Sequence, residues 1–587
     1  MNINHELLNF INPKSRIQNL KSHESVFSQS WRVAWGKIHT LTSRLLTDVV
    51  WQDGEFAVIS PPGQQIFRLS PREDFVVVGD IWLTNQGELL AKLGLIPEEF
   101  DGDDLDLVGR LWERWGRECL QLLVGMFSLV IWERRQQRLW MIRDRVGAKT
   151  LYYTRHGAVQ WIAPQLPSLS AYRSSELDLV ALRDYLCCAF VPGERTLWQD
   201  VKEVRPGTAV LSPATEVYIY WQLQENISNQ ESLEWHGESL RGLLNQVVQE
   251  YLPTNQPVGV FLSGGLDSSC ITALAAKFHS HPVHTYSIHF GAELPNELEF
   301  SSLVAQHCQT QHHILEITFA DMWNYLPQVM LHLDDPIGDP LTVPNLLLGK
   351  LAKNHVEVIL NGEGGDPCFG GPKNQPMLIN SLYGGVTNQD GLAAYLTSFK
   401  KCADDLPQLL KPDVYHAVGE EKSVFAPDFN VNMNYLNRLM GLNIKYKGAD
   451  QILTKVNNLT SAVGLTGRSP LFDQRVVDLS MTIPPIYKLS GVEEKAVLKQ
   501  AVKDILPPSI IHRPKSGMMV PVQLGFRKYW QQQARKMLLH KKSAIAPYFQ
   551  QQVIQDWLNY RGDIWGRYGV KLWLLTSLEV WLQVHQG

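Results

Sequence analysis

The sequence predicts an α/β chain in two parts: a strand-dominated α+β domain over residues 26–215, then a parallel-sheet domain over 236–587 whose later part is helical. Two patterns carry this. After a polar leader at 1–25, short β-rich runs ("EFAVIS", "FVVVGDIWL", "FSLVIWER", "RLWMIRDR", "GTAVLS") are interrupted by few helical stretches, chiefly "DLDLVGRLWERWGRECLQLL". Beyond a polar linker at 216–235, the strand-like runs "VGVFL", "VHTYSIHF", "HHILEI" and "VEVIL" alternate with helical ones such as "EFSSLVAQHC" and "VPNLLLGKLAKNH". Such alternation builds a parallel sheet covered on both faces. From about residue 390 the pattern is mostly helical and ends in "GVKLWLLTSLEVWLQVHQG".

Composition bounds the function classes. A chain of 587 residues, 44% hydrophobic and 19% charged, has an ordinary globular make-up and length enough for at least two domains. Net charge is −5 with no Lys/Arg run, so composition gives no argument for nucleic acid or a membrane surface as partner. The apolar stretches are broken well before spanning length and the start lacks an apolar signal core, so a cytoplasmic protein is expected. Seven cysteines, odd in number and without a CxxC, read as reduced thiols.

The chemistry is concentrated where apolar strands meet glycine-rich turns. "VGVFLSGGLDSSCITALAAKF" runs from a buried strand through Ser263, Gly264, Gly265, Asp267, Ser268 and Ser269 into a helix. The N–H groups at a helix start suit phosphate, glycines permit close approach, and the serine hydroxyls add donors. Asp267 repels phosphate unless a divalent cation lies between them, which assigns it to Mg²⁺. The plain alternative is a βα turn in which Ser and Asp cap the helix. No Gly-Lys-Ser/Thr ending is present, which disfavours a P-loop. A second strand and turn, "VEVILNGEGGDPCFGGPKNQ", carries Glu363 and Asp366. Two such turns at strand ends of one parallel sheet face a common crevice, where Asp267 and Asp366 would hold Mg²⁺ on a triphosphate and Glu363 would handle a proton. Lys515, in "HRPKSG", lies in a stretch with neither helix nor strand period.

On these residues the chain resembles the asparagine synthetase family. "SGGLDSS" resembles the pyrophosphate loop of the ATP-pyrophosphatase superfamily, and "LVGMFSLVIWERRQQRLWMIRDRVGAKTLYY" resembles the family's amino-terminal half. "DDPIGDPLTVPNLLLGKLAKNHVEVILNGEGGD", "GRSPLFDQRVVDLSMTIPP" and "EEKAVLKQAVKDILPPSIIHRPKSG" continue the likeness in order. The resemblance implies an Ntn-hydrolase-like sandwich followed by an adenine-nucleotide α-hydrolase-like domain with a helical end. It implies ATP and Mg²⁺ as cofactors, adenylation of a carboxylate with release of pyrophosphate, and displacement of AMP by a nitrogen nucleophile. Lys515 then matches the family's catalytic lysine and Glu363 its candidate base. Val260, Leu262 and Ile288 would help seat adenine, and Gly364 would lie near ribose or substrate. A homodimer is compatible with the family.

The departures are as informative. Glutamine-dependent members expose a first-residue cysteine, whereas this sequence begins Met1-Asn2-Ile3-Asn4 and has no cysteine before Cys119. The glutamine-binding Asn-Gly-Glu is here Val78-Gly79-Asp80, with only the Asp104 carboxylate retained. The first domain is therefore expected to keep the fold without glutaminase chemistry. Two acceptors stay open: ammonia, free or from a partner, amidating aspartate or a related acid; or an amine of an organic or peptide substrate, as in β-lactam synthetases and lasso-peptide cyclases. Glu363 favours the first, since the β-lactam-forming relatives have tyrosine there. Pro367, the run "CFGGPKNQP", and Thr466 ahead of Arg468, each where the family commonly has something else, favour the second. A non-catalytic nucleotide-binding regulator would be expected to lose Asp267, Asp366 or Lys515, and all three are present. His307, Cys308, His312 and His313 have metal-ligand chemistry but poor spacing and read as packing; His289 reads as an interior or crevice histidine. The Asn226 and Asn458 glycosylation patterns carry no weight in the expected compartment.

Overall fold

The computed structural model describes residues 30–40, 48–371, 388–399, 401–419, 421–490, 493–513, 519–561 and 567–586. The leader at 1–25 and Lys515 lie outside these residues.

The first domain is a sandwich of two six-stranded antiparallel sheets. One runs in the order Val201–Glu203, Tyr152–His156, Val159–Ala163, Arg32–Gly36, Phe56–Ile59, Val49–Asp53; the other is Glu216–Ile219, Thr208–Ser212, Arg138–Arg143, Gly125–Glu133, Phe75–Leu83, Phe67–Leu69. Alternation decides what each face meets. Val33, Phe56 and Val58 of the first sheet pack on Val76, Val78, Val130 and Trp132 of the second. The intervening Val77, Leu129 and Ile131 turn outward onto Leu107, Val108, Leu111 and Trp112 of the helix Asp104–Trp115. Ala57, Ile59 and Trp161 turn the other way, onto Leu182 and Tyr185 of the helix Leu179–Cys188. The result is a helix–sheet–sheet–helix stack.

The linker expected at 216–235 begins too early. Glu216–Ile219 pairs with Thr208–Ser212 through Ala209↔Tyr218 and Val210↔Val217 and completes the second sheet, because a hairpin return satisfies the exposed edge of its neighbour. Its other end is already helical, since Ser232 caps the helix Leu233–Tyr251 by accepting from the Trp235 N–H.

The second domain holds a five-stranded parallel sheet, ordered Gln311–Glu316, Val283–His289, Val258–Phe261, Val358–Leu360, Thr466–Arg468. The chain steps outward twice from Val258–Phe261, then crosses back to its other side. That places the topological switch between Val258–Phe261 and Val358–Leu360, whose register is Val258↔Val358 and Val260↔Leu360. Val258, Val260, Val358 and Leu360 face one core with the helices Leu233–Tyr251 and Leu266–Phe278, while Tyr286, Ile288 and Ile359 face the other. The fifth strand has no apolar alternation in "TGR" and was not foreseen.

The terminal helix Tyr568–His585 is apolar almost all round because protein covers it. Its buried Glu579 accepts from Ser543 Oγ at 2.8 Å and from the Ala544 and Ile545 N–H groups at 3.1 and 2.9 Å. No described helix is long and apolar enough to cross a membrane.

Candidate active site

The two glycine-rich turns meet at the switch point and touch. A Cβ on Gly362 would stand 2.5 Å from the Ser268 nitrogen, and one on Gly365 would fall on the Asp267 carboxyl. Only glycine lets the second turn lie flat against the start of the helix Leu266–Phe278. That helix has Gly265 as its N-cap and no side-chain cap, which removes the plain capping reading. Instead the Ser263 and Ser268 hydroxyls bond each other at 3.1 Å, and Ser263 Oγ accepts from the Gly265 N–H at 3.3 Å, shaping a turn in which Gly264 takes φ +77°. Ser269 is buried and its hydroxyl has no protein partner.

Asp267 and Asp366 converge on one cation. Lys495 Nζ lies 2.6 Å from a carboxylate oxygen of each. Burial alone would depress this ammonium, but Asp267 and then Asp366 raise its pKa well above the usual value and keep it charged. Lys495 takes a left-handed backbone (φ 56°) just ahead of the helix Ala496–Val502, held by its N–H donating to the Lys488 carbonyl at 2.6 Å. Strain of that kind persists where surroundings over-determine it. The two aspartates keep outward access, with side chains 19% and 37% exposed. Two hard carboxylates drawn from different loops onto one positive centre fit a site for Mg²⁺.

Glu363 lies beside them. Its N–H donates to Asn361 Oδ1 at 3.0 Å, and its carboxylate stands 3.9 Å from Lys455 Nζ. Lys455, almost fully buried on the helix Thr454–Ser461, pairs with Asp339 at 3.0 Å. Burial would raise the Asp339 carboxyl, yet Lys455 holds it down to about 2. Gly364 has φ +110° and is pressed on the Leu471 backbone. Val260, Leu262 and Ile288 are buried in the two cores that flank the parallel sheet. Thr466 starts the edge strand, at the end away from the crevice, and Pro367 is buried in the short helix Gly365–Phe369. Arg513, two residues before Lys515, donates to the Gly264 carbonyl at 3.0 Å, pairs with Glu297 and lies 3.9 Å over the Phe300 ring.

Sequence reasoning had not singled out Lys495, Lys455, Asp339 or Arg513. Lys495, Asp339 and Arg513 sit inside stretches matched to the family and Lys455 does not, and the sequence gives no sign that their side chains converge on this crevice.

A chamber of about 670 Å³ lies between the domains. Its wall includes Ser30, Trp31, Gly79, Asp80 and Asp104 from the sandwich, and Asp334, Asn457 and Asn458 from the second domain. Asp80 pairs with Lys149 at 2.7 Å, and Asp104 accepts from the Leu83 N–H and Gln86 Nε2, each at 2.8 Å. Burial raises the Asp104 carboxyl, these hydrogen bonds opposing it. None of the seven cysteines lines this wall; six are buried and Cys308 is half-buried elsewhere. The far wall belongs to the helix Thr454–Ser461, the one that carries Lys455 to Glu363.

Comparison with known proteins bears on both halves. Residues 239–583 match the family model for asparagine synthase. The chain belongs to the asparagine synthase family. Residues 57–221 match the glutamine amidotransferase domain, so the sandwich is an amidotransferase-like domain of the Ntn type ahead of the synthase domain. The glutamine-hydrolyzing asparagine synthetase 1 of Bacillus subtilis (strain 168) is 26% identical over 547 residues, covering 86% of this chain and 85% of its own. The glutamine-hydrolyzing asparagine synthetase B of Escherichia coli (strain K12) is 24% identical over 483 residues, covering 78% and 71%.

Proposed function

We propose that this member of the asparagine synthase family is an ATP-dependent carbon–nitrogen ligase that amidates a carboxylate, aspartate or a related acid, using ammonia and not glutamine. The observation that carries it is the convergence of Asp267 and Asp366 on Lys495 at the switch point. In this reading ATP activates the substrate carboxylate and departs as AMP and pyrophosphate. Asp267 and Asp366 would hold Mg²⁺ against the phosphates, the 263–269 turn presents its N–H and hydroxyl donors to the pyrophosphate, and Lys495 offsets the remaining negative charge. Lys515 stabilises charge developing on the reacting oxygens. Glu363 takes the proton that the attacking nitrogen sheds, with the Lys455 ammonium 3.9 Å away.

Absence of glutaminase chemistry is supported by a chamber without a cysteine on its wall. Its wall joins the Ntn-type domain to Asn457, Asn458 and Ser461 of the helix that bears Lys455. A second reading, an amine of an organic or peptide substrate as acceptor, is favoured by Pro367, which puts no polar side chain at its place beside Asp366.

Exchange of labelled pyrophosphate into ATP tests the activation step whatever the final acceptor. Exchange should require a carboxylate substrate and vanish in Asp267→Asn and Asp366→Asn. Full exchange in either variant would remove the pair from the site.

A further inference from the structure

Three histidines distant in sequence converge at the opposite end of the parallel sheet from the crevice. His284 opens the strand Val283–His289, His313 lies in Gln311–Glu316, and His355 precedes Val358–Leu360. Alternation puts His284 and Tyr286 on one face, and the register Tyr286↔His313 puts His313 on that face too. One ring nitrogen from each histidine lies within 4.8 Å of the others, and His284 Nδ1 is 3.0 Å from His313 Nε2. Among the described residues no other group of three His, Cys, Asp or Glu side chains meets in this way. Of the four residues weighed from sequence, His313 joins this group, while His307 bonds the Ile505 carbonyl at 3.0 Å and His312 bonds Thr285 Oγ1 at 2.9 Å on the other face.

The contact has the dimensions of shared coordination. Nitrogens bound tetrahedrally to one Zn²⁺ are about 3.3 Å apart, given Zn–N bonds of about 2.0–2.1 Å. The Tyr286 hydroxyl lies 3.4 Å from His355 Nδ1; in the tautomer where that N–H donates to it, His355 Nε2 is left as a ligand atom. Three imidazoles select a borderline dication over Mg²⁺ or Ca²⁺, which prefer oxygen.

We propose that His284, His313 and His355 form a binding site for a zinc-class dication, separate from the nucleotide crevice, which ties two strands and the approach to a third at the sheet's far edge. The fourth position is left to water. An imidazole stack sharing one hydrogen bond explains the His284–His313 contact alone and is the competing outcome.

The test is a Co²⁺ titration of the full-length untagged protein after chelator stripping, followed in the visible region, with Zn²⁺ as competitor. One Co²⁺ per chain with tetrahedral absorption, displaced by Zn²⁺, is expected. His313→Gln and His355→Gln should each weaken binding at least about 100-fold, beyond the 10–100-fold that loss of an outer-shell partner causes. His307→Gln should leave it unchanged. His355 is only half-buried, so that variant is expected to fold, and its metal-free melting curve verifies this. No stoichiometric binding by the unaltered chain, or binding undiminished in both variants, overturns the site.

Discussion

The Lys495 ammonium lies 2.6 Å from a carboxylate oxygen of Asp366 while bonding Asp267 on the neighbouring loop. The protein thus supplies its own cation to draw together the two groups that flank the switch point. Lys495→Met leaves those carboxylates facing each other, and stability should fall by about 3 kcal/mol. Mg²⁺ should recover part of the loss by satisfying the same oxygens. Thermal denaturation with and without Mg²⁺ checks both statements; an unchanged midpoint in Mg²⁺-free buffer would contradict them.

Contact between the two turns depends on glycine. Gly365→Ala would drive a methyl into the Asp267 carboxyl, whereas a methyl at Gly419 meets open space. Displacing Asp267 by about 1 Å should lower kcat/KM for pyrophosphate release about 100-fold. Gly419→Ala should change it by less than about twofold. Steady-state kinetics on the two variants, with circular dichroism to verify folding, decides.

Much of this arrangement was legible before the structure. Four strands of the second sandwich sheet, Phe75–Leu83, Gly125–Glu133, Arg138–Arg143 and Thr208–Ser212, were readable as β-branched or aromatic runs, whereas Phe67–Leu69 is too short to carry a pattern and Glu216–Ile219 reads as linker. The first four strands of the parallel sheet were readable as apolar runs alternating with helical ones, two of them, Val258–Phe261 and Val358–Leu360, stopping at glycine-rich turns. Thr466–Arg468 was hidden because three residues without alternation carry no period. Lys495 was hidden for another reason: its role rests on a left-handed backbone and on two partners more than a hundred residues away, and neither leaves a local trace. The same holds for the three histidines, which only the register of parallel strands unites.

Lys488 gives a test by pH. Burial depresses its ammonium from 10.5 to about 7, Cys368 and Glu225 pulling partly the other way, and its Nζ donates to Asn437 Oδ1 at 2.7 Å. Because the folded pKa is lowered, the unfolded chain binds more protons between pH 7 and 10.5, so this residue makes stability rise with pH through that window. Below it both states are charged and the folded state carries the full burial penalty. Lys488→Met should therefore stabilise the protein by about 3 kcal/mol near neutral pH, with the gain shrinking toward the alkaline end. Denaturant unfolding of both proteins across the window measures it; a gain that does not vary with pH would assign the effect to packing.

Lys515 follows an arginine docked on the Gly264 carbonyl. Lys515→Met should leave ATP affinity within about threefold while slowing carboxylate activation by about 100–1,000-fold. Equilibrium binding and single-turnover kinetics separate the two, and a normal single-turnover rate would remove Lys515 from the chemistry.

The central claim is an ammonia-using synthetase whose amidotransferase-like half performs no hydrolysis. Its most direct measurement is asparagine and pyrophosphate formation by the purified protein with Mg²⁺, ATP and aspartate, comparing ammonium with glutamine as nitrogen source. The account predicts equimolar asparagine and pyrophosphate from ammonium and none above background from glutamine. Asparagine from glutamine would contradict the reading of the chamber, and no asparagine from either source would contradict aspartate amidation itself.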